Sequence, residues 1–240
     1  MHLAVGRNTF DFILLVLALF VLPAISAFTG RRIAKAPDVS LLPRYLQTMA
    51  RGWLVVALVA GAWWWSGRPA AWLGFDVPVG ESGLYGLLFV GIALVAMAIQ
   101  VVRFDRLVVP ERLPKLRQQI RDIKILPRTS AEYVVFLFVA LSAGIWEELL
   151  YRGFLIWFLG AYLGVVPAVI LSTAVFGLGH VYQGWGGVLR GGGLGLLFAI
   201  GYVASGSLWW LIALHALVDI FGGTMAWRVS TLRLPNSTSA

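Results

Sequence analysis

Acidic residues and histidines are rare in the second half of the chain, and each lies inside or at the edge of an apolar run. After residue 132 these side chains are Glu147, Glu148, His180, His215 and Asp219. A carboxylate at the centre of a bilayer costs at least ~2.5–3.5 kcal/mol on insertion scales, so such residues by default mark a functional site. The plainer interpretation is a buried polar network that ties helices together.

Two of the carboxylates are adjacent, in the sequence Trp146-Glu147-Glu148-Leu-Leu-Tyr-Arg152. Glu148 and Arg152 are four residues apart and share a helix face, where they can form an ion pair. On an α-helix Glu147 projects about 100° away, onto a different face. We therefore expect an internal cation to neutralise Glu148 and leave Glu147 available as a general base that acts on water.

The two histidines lie on separate apolar runs. Phe176 precedes His180 by one helical turn, and His215 and Asp219 are four residues apart on one helix face. A lone histidine is more often a core residue, but here two histidines accompany the carboxylates. With a rise of ~1.5 Å per residue, Glu147 and His215 come to similar depths, whereas His180 lies nearer the inner side.

The elements that carry these residues are predicted to be membrane helices. The chain of 240 residues is 60% hydrophobic and 12% charged, whereas soluble domains average about 45–50% apolar and about 25% charged residues. This composition excludes an ordinary soluble enzyme and a disordered protein. Because the chain has no cysteine, thiol nucleophiles and thiolate metal sites are excluded as well.

Seven apolar runs approach the ~20 residues that a helix needs to cross the hydrocarbon core. They are residues 10–28, 52–66, 83–102, 131–158, 166–181, 188–205 and 207–227. We therefore predict an all-α fold, a polytopic bundle of about seven transmembrane helices around a polar intramembrane chamber. The glycine-rich stretch at 191–195 lacks the Lys-Ser/Thr of a phosphate loop and indicates close helix packing.

The net charge of +8 reports topology rather than a nucleic-acid partner. Most basic residues fall between apolar runs, in residues 31–51 and 103–128, which is the positive-inside pattern. It predicts an integral multi-pass protein with the N-terminus outside, the C-terminus inside, and basic loops against anionic lipid headgroups. Arg68, in the opposite loop with Asp76 and Glu81, is expected to snorkel to the interface. Because no basic run is interleaved with exposed aromatics, nucleic-acid binding is not expected.

An internal boundary is predicted near residue 129. Leu116, Ile120 and Ile123 recur at helical spacing among basic residues, which predicts a helix lying in the cytoplasmic interface. Thr129-Ser-Ala-Glu132 then matches a capping box that opens the next span. The chain would thus consist of an N-terminal membrane segment with three spans (1–128) and a catalytic core with four spans and a short tail (129–240).

Three motifs in order resemble a known family. Glu-Glu-x-x-x-Arg at 147–152, Phe-x-x-x-His at 176–180 and His-x-x-x-Asp at 215–219 are similar to those of the CAAX protease and bacteriocin-processing (CPBP, or Abi) family of intramembrane endopeptidases, which includes the type II CAAX prenyl proteases. Each motif alone is weak, but all three on predicted membrane helices are specific. The resemblance covers about residues 130–227. It implies a chamber open toward the cytoplasm and peptide or prenylated-protein substrates.

The resemblance also implies residue roles. Carried over by position, Glu147 and His180 would hold and activate the attacking water. His215 and Asp219 would face the scissile carbonyl and stabilise its oxyanion. Eukaryotic-type members have Asn where this chain has Asp219. An amide can donate a hydrogen bond to an oxyanion, whereas an ionised carboxylate only accepts. Asp219 would then be protonated, orient His215, or bind a metal.

The other motif residues would have supporting roles in the site. Glu148 and Arg152 would be structural partners, and Phe176 would pack beside the first histidine. Metal dependence stays open at this point. His180, His215 and Glu147 could hold Zn²⁺ with water in the fourth position, although no His-Glu-x-x-His helix is present. A metal-free site with Glu147 as the base is chemically sufficient.

Two other functions are compatible with buried carboxylates and histidines. A proton- or ion-coupled transporter also uses Glu and His relays, but the sequence lacks the internal repeat that many transporters show. A non-catalytic membrane protein, such as a bacteriocin-immunity protein or a scaffold, would not require the complete set of motif residues. The intramembrane peptidase is the favoured hypothesis.

Overall fold

The computed structural model describes residues 8–35, 40–77 and 79–232, and every regular element in these ranges is helical. The elements are α1 (Thr9–Val16), a π-helical segment (Leu17–Val21), α2 (Leu22–Lys35), α3 (Leu42–Trp65), a 3₁₀ turn (Ala70–Leu73), α4 (Glu81–Leu107), α5 (Leu113–Ile123), α6 (Ser130–Glu147), a second π-helical segment (Glu148–Ile156), α7 (Trp157–Leu163), α8 (Val165–Gly179), a 3₁₀ turn (Val181–Gln183), α9 (Trp185–Ser205) and α10 (Trp209–Thr231). The predicted all-α class is confirmed. The predicted C-terminal tail lies outside the described residues.

Six helical stretches among the described residues are long and apolar enough to cross a membrane. They are Thr9–Arg32, Leu42–Trp65, Glu81–Phe104, Ser130–Leu163, Trp185–Ser205 and Trp209–Thr231. The remaining predicted span corresponds to α8, which is apolar but has only 15 residues. The protein is thus an integral multi-pass membrane protein with about seven membrane helices, as predicted.

The start of α6 is fixed by the capping box that the sequence predicts. The Thr129 side chain accepts from the Glu132 amide, and the Glu132 carboxylate accepts from the Thr129 amide. Glu132 is almost fully buried and its other oxygen accepts from the Leu41 amide at 2.9 Å, just before α3 begins. One carboxylate therefore joins the starts of two helices that pack against each other. The predicted interface helix is α5, which contacts α10 where Arg117 donates to the Val229 carbonyl.

The snorkelling expected for Arg68 is wrong. Arg68 is buried and donates to both carboxylate oxygens of Asp11, at 2.8 and 2.7 Å. Its guanidinium also lies about 5 Å from the ring centroids of Trp63 and Trp157. A charged partner 57 residues earlier in the chain removes the need to reach water. Asp11 itself closes a capping box with Asn8 at the start of α1.

Helices α6 and α10 approach closely enough to bring two sets of site residues together. A Cβ atom at Gly144 would stand 2.7 Å from the Ile212 carbonyl oxygen, so only glycine permits this approach. Gly144 lies one turn before Glu147 and Glu148, and Ile212 lies one turn before His215. The crossing point of α6 and α10 therefore positions the carboxylates against the histidine.

Candidate active site

The helix that carries the paired glutamates widens at the site. The α-helical hydrogen bonding of α6 ends at Glu147, and Glu148–Ile156 forms a π-helical segment whose residues are all buried. π-Helical turns are rare and occur frequently at functional sites. The change in helix type falls between the two adjacent carboxylates.

Glu148 contacts both Arg152 and His215 in a buried ion cluster. Its Oε1 accepts from Arg152 Nη1 at 2.9 Å and contacts His215 Nδ1 at 2.6 Å. Arg152 Nη2 donates to the Gly195 carbonyl at 3.0 Å, which joins the cluster to α9. Glu148 Oε1 acts as an acceptor toward Arg152. With the same oxygen as the acceptor, His215 Nδ1 is the donor, and Nε2 lies on the other side of the ring.

Aromatic rings surround the Arg152 guanidinium. Its central carbon lies 4.2 Å from the ring centroid of Phe176 and 5.7 Å from that of Phe198, within the range of cation–π contacts. Phe176 also packs near His180, with ring centroids 4.9 Å apart. A Cβ at Gly195 would stand 2.8 Å from the Phe176 ring. The glycine-rich face of α9 thus lets Phe176 and Arg152 pack against the helix backbone.

Glu147 and Asp219 both face the Nε2 atom of His215. The distances from that atom are 3.7 Å to Glu147 Oε2 and 3.8 Å to Asp219 Oδ2. Glu147 Oε2 is buried and has no hydrogen-bond partner among the described residues. The side chain of Glu147 is 14% exposed, against 0% for Glu148 and 39% for Asp219. Three carboxylates with different exposure therefore surround one imidazole ring.

The adjacent glutamates have different environments. Glu148 pairs with Arg152, whereas Glu147 makes no hydrogen bond with another described residue. Glu148 meets the Nδ1 side of His215 and Glu147 the Nε2 side.

His180 lies where α8 ends. Its Nδ1 is 2.9 Å from the Phe176 carbonyl oxygen, which only accepts, so Nδ1 carries the proton and Nε2 is the free acceptor. A Cβ at Gly191 would stand 2.9 Å from His180 Cγ, so the absence of a side chain at Gly191 leaves room for the imidazole ring. Ser26 of α2 donates to the Gly179 carbonyl at 2.6 Å and holds the preceding peptide. His180 makes no ion pair with Glu147 or any other described carboxylate.

The four predicted catalytic residues line one cavity of about 510 Å³. They are Glu147, His180, His215 and Asp219. A smaller cavity of about 220 Å³ adjoins it on the side of α9 and shares His180, His215 and Asp219. The predicted polar chamber thus corresponds to a pair of cavities that meet at these three residues.

The segment that carries the site is similar to a known protein family. A family model described as type II CAAX prenyl endopeptidase Rce1-like matches residues 129–221. The comparison thus detects an Rce1-like domain in those residues. The match begins at the capping residue Thr129 and includes Asp219, so the family resemblance predicted from the motifs is confirmed. It indicates a peptidase. No curated protein and no solved structure matches the chain.

The walls of the large cavity come only partly from the Rce1-like domain. Helices α2 and α3 and the loop after α5 contribute side chains that the sequence analysis did not single out. They include Ser26, Arg44, Tyr45, Gln47, Thr48, Arg51 and Lys124. Several of these lie at i, i+3 and i+4 on α3, a periodicity that predicts one shared face. Nothing in that spacing indicates that the face meets a cavity rather than lipid or another helix.

Two histidines of the Rce1-like domain have a ring nitrogen that could bind a metal ion. His180 and His215 each use Nδ1 within the protein, which leaves Nε2 as the ligand atom. Across residues 8–35, 40–77 and 79–232, however, no group of three or more His, Cys, Asp or Glu side chains is placed to hold a metal ion. The zinc set of His180, His215 and Glu147 therefore does not fit as arranged.

Proposed function

We propose that this protein is an intramembrane endopeptidase in which Glu147 activates a water molecule for attack on a peptide bond. The observation that carries the proposal is the buried Glu147 Oε2. It has no hydrogen-bond partner among the described residues and lies 3.7 Å from His215 Nε2, and the residue lines the large cavity. A general base needs such an atom within hydrogen-bond reach of the water that it deprotonates.

The proposed reaction has two stages. The water gives one proton to Glu147 while its oxygen bonds to the carbonyl carbon, and the carbonyl oxygen becomes an oxyanion. Glu147 then passes that proton to the leaving nitrogen as the carbon–nitrogen bond breaks, which yields a carboxylic acid and an amine. His180 helps to hold the water, because its Nε2 is an acceptor directed away from the Phe176 carbonyl.

His215 is proposed to stabilise the oxyanion. Its Nδ1 donates to Glu148, so donation to the oxyanion requires a second proton on Nε2. The carboxylates of Glu147, Glu148 and Asp219 around the ring suit that doubly protonated form. Asp219, at 3.8 Å from Nε2, would orient the ring and keep it charged. A preorganised donor of this kind typically contributes about 10²–10³-fold to kcat.

Glu148 and Arg152 are proposed to act through His215 rather than on the substrate. Both side chains are fully buried and bonded to each other, and Glu148 also fixes the ring by its Nδ1. Positioning of a reacting group to within a fraction of an ångström can change a rate by about 10²-fold. The ion pair would therefore hold the His215 ring in a fixed position relative to Glu147.

The substrates are proposed to be membrane-associated peptides, including lipidated, CAAX-like C-termini. Apolar side chains such as Leu22, Ile25, Val55 and Val139 line the large cavity beside its polar wall. Such a lining suits a peptide with a hydrophobic or lipid-modified segment. Arg44 and Arg51 of α3 and the loop after α5 line the same cavity, so it would open toward the predicted cytoplasmic side.

Cleavage by the purified protein in proteoliposomes tests the proposal. We expect hydrolysis of lipidated peptides by the parent protein and none by Glu147→Ala, with both proteins equally folded. Glu111→Gln, which removes an exposed carboxylate far from the cavities, is the matched control and should retain the parental rate. Parental cleavage by Glu147→Ala contradicts the mechanism. Proton-driven solute flux into the same vesicles, without peptide cleavage, would instead favour a transporter.

A further inference from the structure

Arg190 is a positively charged residue that lines both cavities of the site. It lies in the second turn of α9, inside the candidate span Trp185–Ser205. It makes no hydrogen bond or ion pair with any other residue of the described ranges. An arginine in a membrane helix is costly and usually serves a pathway or a ligand. The other arginine of this region, Arg152, donates to Glu148 and to the Gly195 carbonyl.

The surroundings of Arg190 indicate what its ligand touches. Arg190 lines both the large and the small cavity, as do His180, His215 and Asp219. A substrate whose scissile bond lies at these three residues would extend into the large cavity on one side and the small cavity on the other. Because Arg190 lines the small cavity as well as the large one, it can contact the part of the substrate that enters the small cavity.

The small cavity limits the size of that part. Its volume of about 220 Å³ equals the liquid volume of about seven water molecules at ~30 Å³ each. Gly187 and Gly191 form part of its wall and leave room beside the α9 backbone. This space suits a short peptide end and is less than half of the 510 Å³ of the large cavity, which is left for the remainder of the substrate.

We propose that Arg190 is a specificity residue that binds a carboxylate on the leaving-group side of the scissile bond, such as the α-carboxylate of a short C-terminal peptide end in the small cavity. The inference rests on the proposed peptidase function. A guanidinium matches a carboxylate with two parallel hydrogen bonds, a geometry that a lysine cannot reproduce. Carboxylate binding by Arg190 would fix which bond lies against Glu147.

The experiment uses one lipidated synthetic peptide in two forms, with a free C-terminal carboxylate and as the C-terminal amide. We expect the parent protein to cleave the acid about 10–100-fold faster in kcat/KM, as charge-assisted hydrogen bonds predict. Arg190→Gln should reduce acid cleavage to the amide rate and leave amide cleavage unchanged, and Arg190→Lys should restore part of the difference. Arg103→Gln, which removes an exposed charge from α4, a helix that lines neither cavity, should retain the full preference.

Three results overturn the inference. The first is equal cleavage of the acid and the amide by the parent protein. The second is an equal slowing of both peptides by Arg190→Gln, as a structural role predicts. The third is a change in the lipid dependence alone when Arg190→Gln is compared in vesicles with and without anionic lipid, which would assign the guanidinium to a lipid phosphate.

Binding of both peptides to Glu147→Gln separates this inference from the proposed function. If the parent cleaves neither peptide but binding retains an acid preference that depends on Arg190, the carboxylate site stands and the peptidase proposal fails. Equal binding of acid and amide overturns the carboxylate site whether or not the peptides are cleaved.

Discussion

Two clusters of buried charged residues, among those that the structure describes, are built differently. Asp11 and Arg68 join α1 to the loop after α3 in a bidentate pair, and Asp11 Oδ2 also accepts from the Asn8 amide. Both Asp11 oxygens therefore have partners. In the second cluster Arg152 and His215 share one oxygen of Glu148, and Oε2 of both Glu147 and Glu148 has no hydrogen bond among the described residues.

The difference separates a structural ion pair from a reactive site. In the Asp11–Arg68 pair both carboxylate oxygens accept from protein donors, so neither oxygen is left for a ligand. The pair also lines neither cavity. The second cluster contains more carboxylate oxygens than protein donors and faces a cavity. Unsatisfied buried polar atoms are rare in native structures and require an explanation, and a water or a substrate group is the explanation that we propose.

The largest expected effect contrasts the two adjacent glutamates. Glu147→Gln should reduce kcat by about 10²–10⁴-fold, the usual contribution of a general base, without loss of stability. Glu148→Gln should also inactivate the protein, but in addition it leaves Arg152 without its anion, which costs about 3–5 kcal/mol for a buried pair. Cleavage assays and unfolding in detergent measure both quantities. Equal stabilities of the two variants would show that Glu148 is not the structural member of the pair.

Replacements in the Asp11–Arg68 pair should lower the stability of the protein and leave its kcat unchanged. Asp11→Ala should destabilise the protein by about 3–5 kcal/mol, because it strands a buried arginine. The folded fraction should keep the parental kcat. A double replacement, Asp11→Leu with Arg68→Met, should recover much of the stability, since apolar residues of similar volume often replace a buried pair at little cost. A fall in kcat for the folded double variant would contradict the purely structural role.

A smaller effect is expected from the packing of His180 on α9. Gly191→Ala places a Cβ 2.9 Å from His180 Cγ, so the ring must shift. We expect kcat to fall by about 10–100-fold, as displacements near 1 Å do. Gly193→Ala is the matched control on the same helix, since a Cβ there meets nothing within 4 Å. Equal rates for the two variants would remove His180 from the proposed mechanism.

The smallest effect concerns Asp219. Asp219→Asn keeps the size of the side chain and supplies an amide that can hydrogen-bond His215 or the oxyanion. We expect kcat within about 10-fold of the parent, since the single donor added or lost at this position is worth no more than ~1–1.5 kcal/mol net. A loss as large as that of Glu147→Gln would mean that the charge of Asp219 takes part in proton transfer.

Local spacing predicted the parts of the site that are close in sequence. The i, i+4 pair of Glu148 and Arg152 and the capping box at Thr129 follow from helix geometry alone, and both are present. The membrane helices follow from apolar run length. The three motifs, read in order, also indicated the family that the comparison found.

Contacts between distant segments were not predictable in the same way. Glu148 meets His215 across 67 residues, and Asp11 meets Arg68 across 57. Arg68 is expected at the interface because it follows a short apolar run in the sequence. No periodicity reveals a partner on another helix. The spacing likewise did not predict the π-helical segment that begins at Glu148.

The central claim is that Glu147 directs a water molecule to a peptide bond, and hydrolysis in H₂¹⁸O tests it most directly. Mass spectrometry of the products from the parent protein should show one ¹⁸O atom in the newly formed C-terminal carboxyl group. Glu147→Gln should give no labelled product in the same time. Labelled product from Glu147→Gln at the parental rate, or parental product without ¹⁸O, would contradict the account.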